Sequence, residues 1–301
     1  MPPTAPSRTP TGRAAAPAAR LPFVPIVLTA ALALIAVVVA VVVGGAARPA
    51  AAGLQDPGAV VRWGLPLARA VHDLAATLTV GLLLLAAVAV PDRAKAALQQ
   101  APRLAVVTGT VWVVAGLLGV VLGFADISGT PPTDPAFPAQ FQRFVWGLEV
   151  LREGLISSAL AAIAVTIAFA ATKRVTILWA GIVSVVAILP LALAGHAAST
   201  VEHETAVNAL AFHLVGSVAW VGGLGALWLL RPALGTWLPV VAQRYSKVAA
   251  WSLLTVALSG VVSATVRLSG WGDLGTAYGA LILAKAVGLA CLLYTSPSPR
   301  D

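Results

Sequence analysis

The chain has 301 residues, 59% of them hydrophobic and only 10% charged, against roughly 25% charged in an ordinary soluble domain. That excludes a soluble fold, and a single cysteine, Cys291, excludes both a disulfide scaffold and a thiolate metal cluster. The net charge of +8 resembles a nucleic-acid footprint, but no basic and aromatic residues interleave on a soluble surface, so nucleic acid is not an expected partner.

The first 20 residues are rich in Pro, Ala, Thr and Arg and read as a disordered cytoplasmic tail. Eight apolar segments follow, at approximately 21–45, 65–90, 103–124, 147–171, 175–194, 206–230, 246–266 and 276–294. Each is long enough to cross about 30 Å of hydrocarbon as a helix. Runs such as Ala30 to Val43 do not alternate as barrel strands would. The expected fold is therefore all-α: a polytopic transmembrane helical bundle with eight predicted spans. The first apolar run is longer than a signal-peptide core of 7–15 residues and reads as an uncleaved anchor. The outer connection 125–146 holds Pro131, Pro132, Pro135 and Pro138, with a short helix expected near Phe141 to Phe144.

Charge sets the expected orientation. With the N-terminus inside, the inner segments hold eleven basic residues: Arg8, Arg13, Arg20, Arg93, Lys95, Arg103, Lys173, Arg174, Arg231, Arg244 and Lys247. They hold one acid, Asp92. This obeys the positive-inside rule at every inner loop and places the protein in the cytoplasmic membrane, with the lipid bilayer as its surroundings.

Polar residues inside spans are expensive and mark function. Here they gather toward the outer side. Arg69, His72 and Asp73 lie on one face of the second span, and Glu149, Arg152 and Glu153 repeat that spacing in the fourth. The two faces can pair as an ion network, or the carboxylates can orient a ligating imidazole. All four histidines, His72, His196, His203 and His213, fall on the outer side and are the candidate metal ligands, since imidazole suits copper, zinc, iron or haem. His72 and His213 have similar depths and are expected to face each other, with Glu153 or Asp73 closing the wall between them. Ser199 followed by Glu202 also reads as a capping box for the sixth span. In that span Gly216, Ala219 and Gly223 permit close helix approach. Met1 is the only methionine, so a thioether copper pathway is excluded. No phosphate loop, nucleophile elbow or metalloprotease motif is present, and no enzyme activity is expected.

The stretch from His203 to Leu293 resembles the copper resistance D domain. The resemblance rests on His213, on Ala219-Trp220-Val221-Gly222-Gly223-Leu224, and on Arg244-Tyr245-Ser246-Lys247. The Gly260 region, the Arg267 and Gly270 turn, and Tyr278-Gly279-Ala280-Leu281-Ile282-Leu283-Ala284-Lys285 also fit. The first 200 residues are similar to the amino-terminal half of larger high-GC Gram-positive proteins, matching at His72-Asp73 and Gly195-His196. Those proteins join the domain to a cytochrome c oxidase assembly module.

The resemblance implies copper uptake or tolerance at the membrane, with a copper ion as cargo and His213 as the leading site residue. An oxidase assembly module or a periplasmic-type copper-binding protein is the implied partner. A b-type haem held by His72 with His213 or His196 is the alternative, as is an assembly platform for a respiratory oxidase without metal. The expected organisation is a tail at 1–20, a five-helix region at 21–200, a copper resistance D-like domain at 201–293, and a non-native tail at 294–301. Tyr294-Thr-Ser-Pro-Ser-Pro-Arg-Asp301 reads as run-on sequence at the end of a fragmentary gene, so the natural protein is expected to continue.

Overall fold

The structure is a computed structural model that describes residues 55–193, 203–268 and 270–295, together with Val38 and Val42. Its helices are α1 (Ala59–Val88), α2 (Lys95–Ser128), α3 (Phe137–Phe144), α4 (Glu149–Phe169), α5 (Arg174–Ile188), α6 (His203–Leu234), α7 (Leu238–Arg267) and α8 (Ala277–Thr295). A single further turn, Pro190–Leu193, extends α5. No strand occurs among the described residues.

α1 is the central helix. It packs against α2, α5 and α6, while α4 lies on α2 and α5, and α7 lies on α6. Its C-terminal half is buried nearly continuously from Thr79 to Ala86, which explains why that stretch carries no charge. At its C-terminal end the last carbonyls, which a helix leaves without partners, are met by arginines. Arg174 Nε donates to Ala87 O at 2.9 Å and Arg244 Nη1 donates to Ala89 O at 3.3 Å. Arg174 also pairs with Asp92 at 2.9 Å. Basic residues of two predicted inner loops, Arg174 and Arg244, and the acid Asp92 of a third therefore converge on one end of the bundle, and α1 and α6 run parallel.

Two interfaces depend on glycine. A Cβ at Gly81 would collide with the backbone of Gly222, and one at Gly222 would collide with Thr77 O, so α1 and α6 touch main chain to main chain. Gly216 lies against Ser252 O and Val256 of α7, and Gly223 lies against the Tyr245 ring. Of the small residues read from the sixth span, Gly216 and Gly223 both serve α7, while the contact with α1 is made by Gly222, which that reading did not single out. Thr79 and Thr108 join α1 to α2 by a 2.8 Å hydroxyl hydrogen bond.

At the opposite end of the bundle, Gly129 terminates α2 with φ +69°. Asp134 then accepts the Ala136 N–H at 2.7 Å just before α3. Phe124 meets both Phe137 and Phe141 edge-on at 5.4 Å, clamping α3 onto α2. The expected short helix is present and starts earlier, at Phe137, because these rings give it an apolar seat.

Among the described residues, five helical stretches are long and apolar enough to cross a membrane. The fifth, Glu204–Val266, is 63 residues and reverses after Leu234, where Gly235 takes φ +49°. It holds the sixth and seventh predicted spans as the hairpin α6–α7. The eighth predicted span falls on α8, whose described apolar stretch is Gly279–Leu289 and which packs chiefly on the short turn Trp271–Gly275. The helix also runs through Thr295, two residues into the segment expected to lack structure. The first predicted span lies outside the described residues except at Val38 and Val42, which are helical.

Candidate functional site

His72 lies on α1, 9% exposed, against a fully buried Trp112 of α2. The indole Nε1–H donates to His72 Nε2 at 2.9 Å. An indole nitrogen can only donate, so Nε2 holds a lone pair and the proton of the neutral ring sits on Nδ1. That proton points at Asp73 Oδ1, 3.0 Å away. Both ring nitrogens of His72 are therefore engaged, and the tautomer follows from the network around it.

Beside this pair, α2 presents Gly116. A Cβ there would lie 2.6 Å from Ser158 Oγ of α4 and 3.3 Å from His72 Cδ2. The absence of a side chain lets α1 and α4 both reach this point on α2. Ser158 donates its hydrogen to Gly154 O at 2.9 Å, which leaves its lone pairs free. Ser157 is fully buried, and its Oγ has no partner among the described residues.

The charged faces of α1 and α4 do not pair with one another as expected. Arg152 instead bonds Glu153 of its own helix through Nε at 3.1 Å and Nη2 at 3.0 Å. It lies 3.9 Å from Glu149. The reason is the position of α2, which packs on both α1 and α4 and fills the space the network would need.

His213 is half-buried on α6 and faces α7. Its Nδ1 lies 3.2 Å from Ser259 Oγ. Ser259 gives its one hydrogen to a carbonyl of its own helix, Thr255 O at 2.6 Å or Val256 O at 3.2 Å, so Oγ is placed to accept from Nδ1–H, with the Val256 carbonyl as a second acceptor for the ring. The lone pair is then on Nε2, which has no hydrogen-bond partner among the described residues. Ser259 also lines an open groove between α6 and α7, with Thr205, Asn208 and Thr255 as its other polar members. Lys285 of α8 is near enough for its charge to act on His213.

The expected approach of His72 to His213 does not occur. Each lies nine residues before the glycine at the α1–α6 contact, His72 before Gly81 and His213 before Gly222. Nine residues are about 14 Å of helix, so the two depths agree. Nine residues are also about two and a half turns, which places each histidine on the face opposite that contact. One ring meets α2 and the other meets α7. This arrangement also removes the His72–His213 pair as a haem ligand set. His196 lies outside the described residues, and of His203 only the backbone is described, as the first residue of α6. Among the described residues, no three His, Cys, Asp or Glu side chains gather as a metal-ligand group.

Trp112 and Ser259 were missing from the residues singled out by sequence reading, because neither carries charge. Trp112 had one visible signal. Membrane tryptophans favour the interfaces, and Trp112 stands mid-span.

Residues 55–204 match the family described as copper resistance protein D-like, N-terminal domain. That region is a copper resistance protein D-like domain. It covers α1 through α5 and the start of α6, upstream of most of the stretch whose motifs carried the resemblance. The domain therefore contains the whole His72–Trp112–Ser158 cluster, whereas His213 lies just beyond it. A search of curated proteins and one of solved structures gave no match. The family and the apolar helices make this a multi-pass membrane protein related to copper resistance.

Proposed function

We propose that the protein handles copper at the cytoplasmic membrane, in uptake or tolerance, through imidazole on the extracytoplasmic side. The observation that carries this reading is the match of residues 55–204 to a copper resistance domain, taken with the state of His213. A ligating histidine characteristically donates its second ring nitrogen to an oxygen, which fixes the tautomer. His213 has that arrangement through Ser259 and an uncommitted Nε2. The adjacent groove gives access from the outer end of α6 and α7.

The site binds and passes on an ion; among the described residues, no nucleophile and base are set together. The orientation is supported by the arginines gathered at the C-terminal end of α1, which favour that end as cytoplasmic, and by the charge bias of the sequence, which favours a cytoplasmic N-terminus. A cytochrome c oxidase assembly module or a periplasmic-type copper-binding protein is the partner this reading calls for.

The test is copper binding by detergent-purified wild type, His213→Ala and His203→Ala. His213→Ala loses binding, and His203→Ala, at the helix start, loses less. Equal binding by all three excludes His213 as the site. A stoichiometric Soret band in the wild type replaces the copper reading with a haem protein.

A further inference from the structure

The His72 cluster holds the parts of a metal-ligand position with the last place already filled. A carboxylate on Nδ1–H is the usual support of a ligating imidazole, because it fixes the ring and raises its basicity. Asp73 supplies it at 3.0 Å. On the other nitrogen, where such an imidazole would bind metal, the Trp112 indole N–H stands at 2.9 Å. Gly116 lets α4 approach that nitrogen closely, since a Cβ there would sit 3.7 Å from His72 Nε2. The same point is 2.6 Å from Ser158 Oγ, a second donor with free lone pairs.

We propose that His72 Nε2 is a closed ligand position for an imidazole-seeking transition-metal cation, capped by Trp112 and opened only when the indole withdraws. The inference rests on the copper reading for the identity of the cation, but not on His213. A cation and an indole N–H compete for one lone pair, so binding at His72 and the Trp112 hydrogen bond exclude each other. Because Trp112 is fully buried, its withdrawal displaces a side chain that α1 and α2 share, which couples ligand capture to the packing of these helices. Ser158 Oγ, aimed at the same space from α4, is the adjacent oxygen ligand.

The experiment removes the open site and then the cap. Silver(I), a redox-stable stand-in for copper(I), is titrated into detergent-solubilised His213→Ala, His213→Ala/Trp112→Phe, and the latter with His72→Gln. Phenylalanine keeps an aromatic ring and lacks the N–H. One added equivalent that binds at least tenfold tighter in the Trp112→Phe protein, and is lost with His72→Gln, is the expected result. No gain on Trp112→Phe overturns the cap, and so does tight binding at His72 in His213→Ala alone. If the wild type fails to bind while the uncapped protein binds, the His213 reading falls and the cap stands. A wild type that binds with no gain on uncapping gives the reverse.

A measurement on the unaltered chain guards against misfolding of the variants. Nitrogen-15 spectra should show His72 neutral with its proton on Nδ1. Silver should shift His72 Nε2 only together with the Trp112 indole N–H. A His72 shift with the indole unmoved overturns the proposal.

Discussion

His72 and His213 stand at one depth in two parallel helices and turn their rings away from each other. Both carry the proton on Nδ1 and give it to an oxygen, Asp73 in one case and Ser259 in the other. They differ at Nε2. Trp112 occupies that of His72, and that of His213 has no hydrogen-bond partner among the described residues. Two residues of the same type, tautomer and depth are thereby given opposite readiness to bind a metal.

Ser259→Ala leaves His213 in place but removes the side-chain acceptor for its Nδ1–H. Loss of such a supporting hydrogen bond costs about 10–100-fold in metal affinity. Copper titration of the Ser259→Ala protein is expected to show a drop in that range, smaller than that of His213→Ala. An unchanged affinity would mean that the tautomer is not held by Ser259.

Copper binding should weaken on acidification. Metal takes the deprotonated imidazole nitrogen, so protons and copper compete. Free histidine protonates near about 6.5, and titrations between pH 5 and 8 should show binding highest at pH 8. Flat binding across that interval would exclude imidazole as the ligand.

The main-chain contact of α1 with α6 predicts a sharp contrast between glycines. Gly222→Val places carbon atoms where Thr77 O already stands, and backbone cannot move aside as a side chain can. Overpacking costs about 1–3 kcal/mol where side chains can adjust, so this substitution should reach or exceed the upper end. Gly119→Ala meets nothing within 4 Å and should be neutral or slightly stabilising. Thermal unfolding of both variants in detergent checks the pair.

The orientation is checked by single cysteines in a Cys291→Ser background. A cysteine at Ser199 should react with an impermeant thiol reagent in intact cells. One at Ala96, beside the inner arginines, should react only after permeabilisation. Labelling of both from the same side would sink the topology, and with it the outward-opening site.

Much of the architecture was legible in the sequence. The second through fifth predicted spans correspond to α1, α2, α4 and α5, and the sixth and seventh form one hairpin. Hydropathy reports these because a helix without water must cover its backbone with apolar side chains. The inner arginines were visible as a charge bias, though not as partners for Ala87 O and Ala89 O. The aromatic clamp of Phe124, Phe137 and Phe141 was not visible, since it depends on where the loop folds back. The expected link between the α1 and α4 charges failed because pattern alone cannot show that α2 stands between them.

The sequence by itself determined the class, the span lengths, the charge asymmetry and the shared depth of His72 and His213, because each of these is a count along the chain at 1.5 Å per residue. Only the tertiary structure decided which way each ring faces. Azimuth is set by the face a helix uses for its closest neighbour, and here that face is fixed by Gly81 against Gly222. Two and a half turns from that contact, both histidines are carried to its far side. There the residues that meet them, Trp112 in one case and Ser259 in the other, decide whether Nε2 is closed or free.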